Sequence, residues 1–285
     1  MAKLLEGKKV AAYLKEKQQA AVAELKAKGI SPTLGIIRAG QRAEDLSYEK
    51  SAVKRCEGVG VAVKVMTLPA DAAQSDLLAL IDQVNGDNSI HGVLLFRPLP
   101  KHIDEEIIRN ALCMEKDIDG IGDGSLAGVF TGTEKGFAPC TASACMEILD
   151  FYNYSLTGKR AAVIGRSLVV GRPVAMMLMA KNATVTICHA KTADLPSICR
   201  SADILIAAAG KAGVVSQECF VPGQVVIDVG INFDENGKMY GDADFAAAEA
   251  IVEAITPVPG GVGAMTSAML AEHVITAARR AVEPL

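Results

Sequence analysis

At 285 residues the chain has room for about two domains of roughly 150 residues each. Half of the residues are hydrophobic, yet aromatics make up 4% and tryptophan is absent, an aliphatic composition that suits parallel strands buried beneath helices. A net charge of −4, from 29 basic and 33 acidic residues, gives no electrostatic reason to expect nucleic acid or an anionic membrane as a partner.

The seven cysteines are scattered, odd in number and without a CxxC pair, which reads as reduced thiols in a reducing compartment. The N-terminus lacks the apolar core of a signal peptide, and apolar stretches are interrupted before the ~18 residues that a membrane span needs. These features point to the cytoplasm.

Helical periodicity and short apolar runs then alternate along the chain. Val10, Leu14, Val22 and Leu25 share a helical face, with Gly29 as a stop signal. A strand is predicted over 33–38, a helix around 46–58 and a strand over 61–68. Leu77, Leu78, Ile81 and Val84 mark a helix, 92–96 a strand ended by Pro98-Leu99-Pro100, and 104–112 another helix. Residues 115–140 are Gly-rich and aperiodic and are read as a long loop. A second series follows, with strands over 159–165, 183–189, 204–210 and 225–231 and helices over 173–180 and 195–201. After a turn at 257–263 a closing helix is predicted over 266–282. The fold class is α/β, with two α/β domains and a Rossmann-like C-terminal one.

The segment Lys159-Arg-Ala-Ala-Val-Ile-Gly165-Arg166-Ser167-Leu-Val-Val-Gly171-Arg-Pro173 is a strand, a glycine turn and a helix start. Glycines let a backbone approach a pyrophosphate, and a helix N-terminus offers free N–H groups. The segment departs from GxGxxG, because Ser167 replaces the second glycine and the last glycine comes late. About 20 residues on, where the ribose is read, stand His189, Ala190 and Lys191 without an acid. Arg166, His189 and Lys191 suit a 2′-phosphate, so NADP is the expected cofactor, with NAD the alternative.

Several segments together resemble the methylenetetrahydrofolate dehydrogenase/cyclohydrolase family over essentially the whole chain. They are Tyr48, Phe96-Arg-Pro-Leu-Pro100, Lys116-Asp-Ile-Asp119-Gly120, the Gly165 turn, Asp228-Val-Gly-Ile-Asn232, and Ile255-Thr-Pro-Val-Pro-Gly-Gly-Val-Gly263 followed by Met265-Thr266. The resemblance implies a folate-binding catalytic domain over 1–140, completed by the last helix at 266–285, and a dinucleotide domain over 141–265, with folate in the cleft between. It implies a homodimer acting on tetrahydrofolate derivatives. By the same resemblance Tyr48 packs on the folate and Asp119 hydrogen-bonds the pterin; both form the catalytic set. Leu99, Pro100, Pro259, Gly260 and Gly261 line the slot, and Gly165, Arg166, Ser167, Ile231 and Thr266 contact the cofactor. A carboxylate suits the amidine-like donor edge of a pterin as a charge-assisted pair. No metal is expected, since hydride transfer needs mainly alignment and the four histidines show no ligand spacing.

Two positions depart from the family. Bifunctional members carry a lysine one helical turn after the tyrosine and a glutamine in the strand before the Pro-x-Pro; here these are Ala52 and Phe96. Both groups serve the hydrolytic step, which requires proton transfer. The expectation is therefore a dehydrogenase with doubtful cyclohydrolase activity. The alternatives are a full bifunctional enzyme using a displaced group such as Arg97, and a catalytically silent folate- or nucleotide-binding regulator. Lys50 and Lys54 face away from Tyr48 on a helix, and Arg55 is a poor proton shuttle. Ala190 stands where many relatives have a hydroxyl residue, which weakens the case for NADP.

Overall fold

The computed structural model describes residues 1–282. In chain order the first half holds β1 (Lys3–Leu4), α1 (Gly7–Ala27), β2 (Thr33–Ala39), α2 (Ala43–Val59), β3 (Ala62–Leu68), α3 (Gln74–Gly86), β4 (Gly92–Leu95), α4 (Glu105–Ala111) and α5 (Asp123–Thr131). The second half holds α6 (Cys140–Phe151), β5 (Arg160–Ile164), α7 (Gly171–Ala180), β6 (Thr184–Cys188), α8 (Leu195–Arg200), β7 (Ile204–Ala207) and β8 (Val225–Asp228). It ends with β9 (Asn232–Phe233), β10 (Met239–Tyr240), α9 (Phe245–Ile251), β11 (Ala254–Ile255) and α10 (Thr266–Arg280). The last three residues of the expected closing helix at 266–285 lie outside the described residues.

The chain divides into two units: Tyr13–Cys140 with the residues from Ser267 onward, and Met1–Ala12 with Thr141–Thr266. The first unit is built on a parallel sheet in the order β3-β2-β4. Its centre, β2, is buried on both faces, and Leu34, Ile36 and Ile37 are fully enclosed, as an apolar run between two parallel neighbours requires. Ile37 packs with Leu77, Ile81 and Val84 of α3 and with Ile108 of α4. Asp104 starts α4 by accepting hydrogen bonds from the N–H groups of Glu106 and Ile107.

The second unit holds a six-stranded sheet in the order β1-β11-β8-β7-β5-β6, with every pairing parallel. From β5 the chain goes to β6 on one side and then crosses back to β7 on the other. The carboxyl end of β5 is thus a topological switch point, where open α/β sheets bind ligands. Ile164, Leu205, Val226 and Ile255 line one buried core of this sheet.

Two expectations are corrected. The stretch 115–140 is not one loop, because α5 forms within it. Its glycines hid the helix: Gly122 and Gly132 flank it, and Gly128 is inside it because a Cβ there would collide with the Lys135 carbonyl. Residues 1–12 do not join the N-terminal block. Lys3 pairs with Ala254 and Leu4 with Ile255, and Leu5 is fully buried, which ties the chain start to the second unit. A two-residue strand carries no readable period.

Candidate functional site

In the second unit, β5 delivers Gly165 with φ +133, a conformation that side-chain-bearing residues rarely adopt. A Cβ on Gly165 would run into the Ala208 carbonyl, and one on Gly171 into the Gly165 carbonyl. Both glycines are therefore required for a turn that brings the backbone of β5 against the start of α7. Ser167 is exposed, and its Oγ accepts a hydrogen bond from the Val170 N–H at 3.2 Å, so the residue replacing the usual second glycine organises the turn. The neighbouring β6 ends in register, Ile164 opposite Cys188, and Gly165 N–H donates to Cys188 O. Exposed Arg166 and half-buried His189 therefore leave adjacent strand ends, with exposed Lys191 two residues beyond.

His189 is fixed by a turn that sequence reasoning did not find. Its N–H donates to Thr192 Oγ1 at 2.8 Å, and its Nδ1 accepts from Lys191 N–H at 3.2 Å. The Thr192 hydroxyl thus caps the turn after β6, two residues beyond Ala190. Ile231, 58% exposed, follows β8. Pro259 is exposed, Gly260 has φ +106 and Gly261 is buried, with Thr266 half-buried at the start of α10. Gly7 of α1 lies so close to this turn that a Cβ there would meet the Gly261 carbonyl.

Asp228 and Asp242 were not singled out as functional, yet they shape the loops around this site. The Asp228 carboxylate accepts from the N–H groups of Gly230, Asp242 and Ala243. Burial pushes its pKa up, and those three N–H groups pull it down. Asp242 accepts from Gly210 N–H at 2.7 Å and from the Asn232 side chain at 3.0 Å.

In the first unit, Tyr48 lies half-buried on α2 with its ring edge-on to Phe96, centroids 5.8 Å apart at 69°. Burial raises the Tyr48 phenol well above its usual range, and the Asp119 carboxylate adds to the effect. The fold therefore brings Tyr48, Phe96 and Asp119 into one environment. Buried Leu99 and half-buried Pro100 continue the chain from Phe96. Asp119 is enclosed by protein yet partly accessible, and burial raises its pKa; the Cys140 thiol, the Cys140 N–H and Arg97 pull the other way. The hydrogen bond from Cys140 N–H to Asp119 Oδ1 is long, at 3.4 Å, so acceptor capacity remains for a ligand's donor edge.

Where bifunctional relatives carry a lysine and a glutamine, the site is apolar and packed: Ala52 is fully buried and Phe96 is 6% exposed. The nearby cations are engaged. Arg55 donates to Gln18 Oε1 at 2.7 Å, and Gln18 in turn donates to Ala268 O and to Glu272. Arg97 pairs with Glu105 at 3.1 Å, and Glu105 also accepts from Leu99 N–H. Among the described residues no group of three His, Cys, Asp or Glu side chains is placed to hold a metal ion, and no helix is long and apolar enough to cross a membrane.

A doubly wound parallel sheet whose switch point is a turn without room for side chains places this chain in the dinucleotide-binding class of α/β proteins. The catalytic-domain model of the tetrahydrofolate dehydrogenase/cyclohydrolase family matches residues 5–119, and its NAD(P)-binding-domain model matches residues 139–282. The chain belongs to that family. It is 51% identical to the bifunctional protein FolD of Carboxydothermus hydrogenoformans over 97% of either chain. The crystal structure of the bifunctional FolD methylenetetrahydrofolate dehydrogenase/cyclohydrolase from Campylobacter jejuni is similar at a TM-score of 0.96, with 41% identity over 98% of this chain and 99% of that one. The Trypanosoma brucei enzyme, solved with NADP and an inhibitor, gives a TM-score of 0.92 with 34% identity, covering 99% of this chain and 98% of the other.

Proposed function

We propose that this protein oxidises 5,10-methylenetetrahydrofolate to 5,10-methenyltetrahydrofolate with NADP, and that its cyclohydrolase step is weak. The observation that carries the reading is the pairing of a retained Tyr48–Asp119 environment with apolar packing at Ala52 and Phe96. In this reading the unit holding Tyr13–Cys140 binds the folate, and the unit holding Thr141–Thr266 binds the dinucleotide.

Asp119 takes the pterin edge, and Tyr48 and the Leu99-Pro100 backbone sandwich the folate, while Pro259, Gly260 and Gly261 are proposed to line its slot. The Gly165–Gly171 turn, packed too closely for a Cβ, leads into α7, and the pyrophosphate is proposed to sit at that helix start. Ser167, Ile231 and Thr266 are proposed to contact the rest of the cofactor, and Arg166, His189 and Lys191 its 2′-phosphate. NADP, when bound, supplies the hydride acceptor. The hydride leaves a carbon flanked by two nitrogens, which stabilise the resulting cation, so the protein's task is alignment rather than proton transfer.

Hydrolysis differs, because water addition and ring opening move protons, and general acid–base catalysis contributes about 10²–10⁴-fold. The test is paired kinetics on one preparation: NADP reduction with methylenetetrahydrofolate, and decay of methenyltetrahydrofolate to 10-formyltetrahydrofolate. Hydrolysis keeping pace with reduction would overturn the single-activity reading. A full bifunctional enzyme is the second reading, favoured by the reach of the Arg97 charge to Asp119 and by the names of the relatives.

Cofactor choice is tested with Arg166→Ala, which should raise the Michaelis constant for NADP about tenfold, the worth of a charged hydrogen bond, and leave that for NAD nearly unchanged. Equal rises would remove Arg166 from the 2′-phosphate. We also infer a cytoplasmic homodimer: all seven cysteines are free thiols, as a reducing compartment expects, and the dimer is what family membership supports. Light scattering at a monomer mass would refute the dimer.

A further inference from the structure

The segment that carries Asp119 is held from several sides, and one of the holders comes from α10, far along the chain. Lys116 Nζ donates to the carbonyls of Val84, Asn85 and Asp87 at the end of α3. The Asp117 carboxylate accepts from Ile121 and Gly122 N–H, closing the turn on the other side of Asp119. Between them, the Ile118 side chain is fully buried over Gly92, where a Cβ on β4 would strike it. The Ile118 carbonyl, one peptide before Asp119, then meets two side chains: His273 Nδ1 at 2.8 Å and Cys140 Sγ at 3.4 Å.

The roles follow from donor counting. A carbonyl can only accept, so the His273 proton sits on Nδ1 and the ring is the donor. Cys140 Sγ lies 3.6 Å from that same nitrogen, which then has no lone pair to offer; the thiol proton is left to Ile118 O and the Asp119 carboxylate, and the Cys140 N–H reaches Asp119 Oδ1. The imidazole packs at a tilt against Phe137, centroids 5.2 Å apart at 36°, and the Arg280 guanidinium lies over the Phe137 ring at 4.7 Å. Gly120, at φ +61, lets the chain turn directly beneath Phe137 and Pro139, where any Cβ would collide.

We propose that His273 is a positioning residue for folate recognition, acting with Cys140 through the Ile118 carbonyl to aim the Asp119 carboxylate. The proposal rests on the reading of Asp119 as the pterin anchor. A neutral donor is the suitable choice for this place: it fixes the peptide without offering Asp119 a cation, so the carboxylate keeps its charge-assisted bond for the ligand. Position matters more than polarity, because His273 meets Ile118 O through its Nδ1 atom.

The test compares H273N, whose amide nitrogen replaces Nδ1, with H273Q, whose amide lies one bond farther out. Affinity for a stable folate, 5-formyltetrahydrofolate, and for NADP is measured by titration calorimetry, with thermal melting as the folding control. H273Q should lose about tenfold in folate affinity, the worth of a hydrogen bond that orients a charged group, and keep its NADP affinity; H273N should recover to within about threefold of the parent. Equal folate affinity in all three proteins, or equal losses in both variants, overturns the positioning role. An unaltered protein that binds the folate but does not reduce NADP with methylenetetrahydrofolate fails the proposed function while leaving this comparison decisive. An unaltered protein that binds no folate defeats both.

Discussion

The proposed dinucleotide and folate regions, one in each unit, are built by opposite means. The proposed dinucleotide turn works by absence: without side chains, Gly165 and Gly171 let the backbone close in on the Ala208 and Gly165 carbonyls, where a single added carbon would collide. The folate environment works by presence: Tyr48, Phe96 and Asp119 are large or charged groups whose surroundings set their orientation and ionisation. A site made of backbone tolerates no added atom, whereas one made of side chains is retuned by exchanging them. The replacements at Ala52 and Phe96 fall in the half where exchange is possible.

The sharpest way to break this contrast is Gly165→Ala. Both the left-handed φ and the Ala208 carbonyl oppose a methyl group, and strain of this kind costs about 1–3 kcal/mol before the collision is added. We expect NADP affinity to fall about a hundredfold or more, with folate affinity retained. Calorimetric titration giving near-normal NADP binding would mean that the turn has slack.

A pH effect of comparable size is expected from the unit proposed to bind folate. Burial holds the pKa of His273 down at about 4, against 6.5 for an ordinary histidine. Above pH 6.5 the ring is neutral folded or unfolded and contributes no slope. As pH falls from 6.5 towards 4, the unfolded chain takes up the proton first, so stability is lost across that window. The total is about 3 kcal/mol at 1.36 kcal/mol per unit. Urea midpoints between pH 7 and pH 4.5 should fall less steeply in H273N than in the parent; parallel slopes would show that the imidazole is not the titrating group.

Asp119→Ala comes next. Removing a carboxylate that meets a ligand's donor edge costs about 1.5–3 kcal/mol, so folate affinity should drop by about 10- to 100-fold and NADP affinity should not move. Unchanged folate affinity would take Asp119 out of the site. The smallest expected effect is a gain: Ala52→Lys with Phe96→Gln should raise methenyltetrahydrofolate hydrolysis about tenfold, part of the 10²–10⁴ that general acid–base catalysis supplies. Position 52 is fully enclosed, so the new ammonium must reach the site along its flexible stem. A double variant no faster than the parent would show that packing as well as chemistry has been lost.

The legible parts of the sequence were those with a period or a motif. The alternation of strands and helices marks the two α/β series, and the strand–glycine–helix pattern marks the Gly165 turn. The Tyr48 and Asp119 segments were found through family resemblance, because neither residue has a local signature. What stayed hidden has no period. Strand β1 is two residues long, and α5 is disguised by packing glycines. The grip of His273 and Cys140 on Ile118 O joins positions far apart in sequence through a backbone carbonyl, an acceptor that every residue carries. Thr192, Asp228 and Asp242 act on backbone N–H groups for the same reason and leave no mark in residue type.

The pairing of β1 with β11 also sets a schedule for synthesis. Lys3 and Leu4 leave the ribosome about 250 residues ahead of their register partners Ala254 and Ile255. At ~5–20 residues per second, the leading strand waits many seconds beside a sheet whose edge does not yet exist, while β2, β3 and β4 can already find one another. Nascent chains arrested before residue 254 should therefore expose Leu5 to protease or chaperone, and chains released just after residue 255 should hide it.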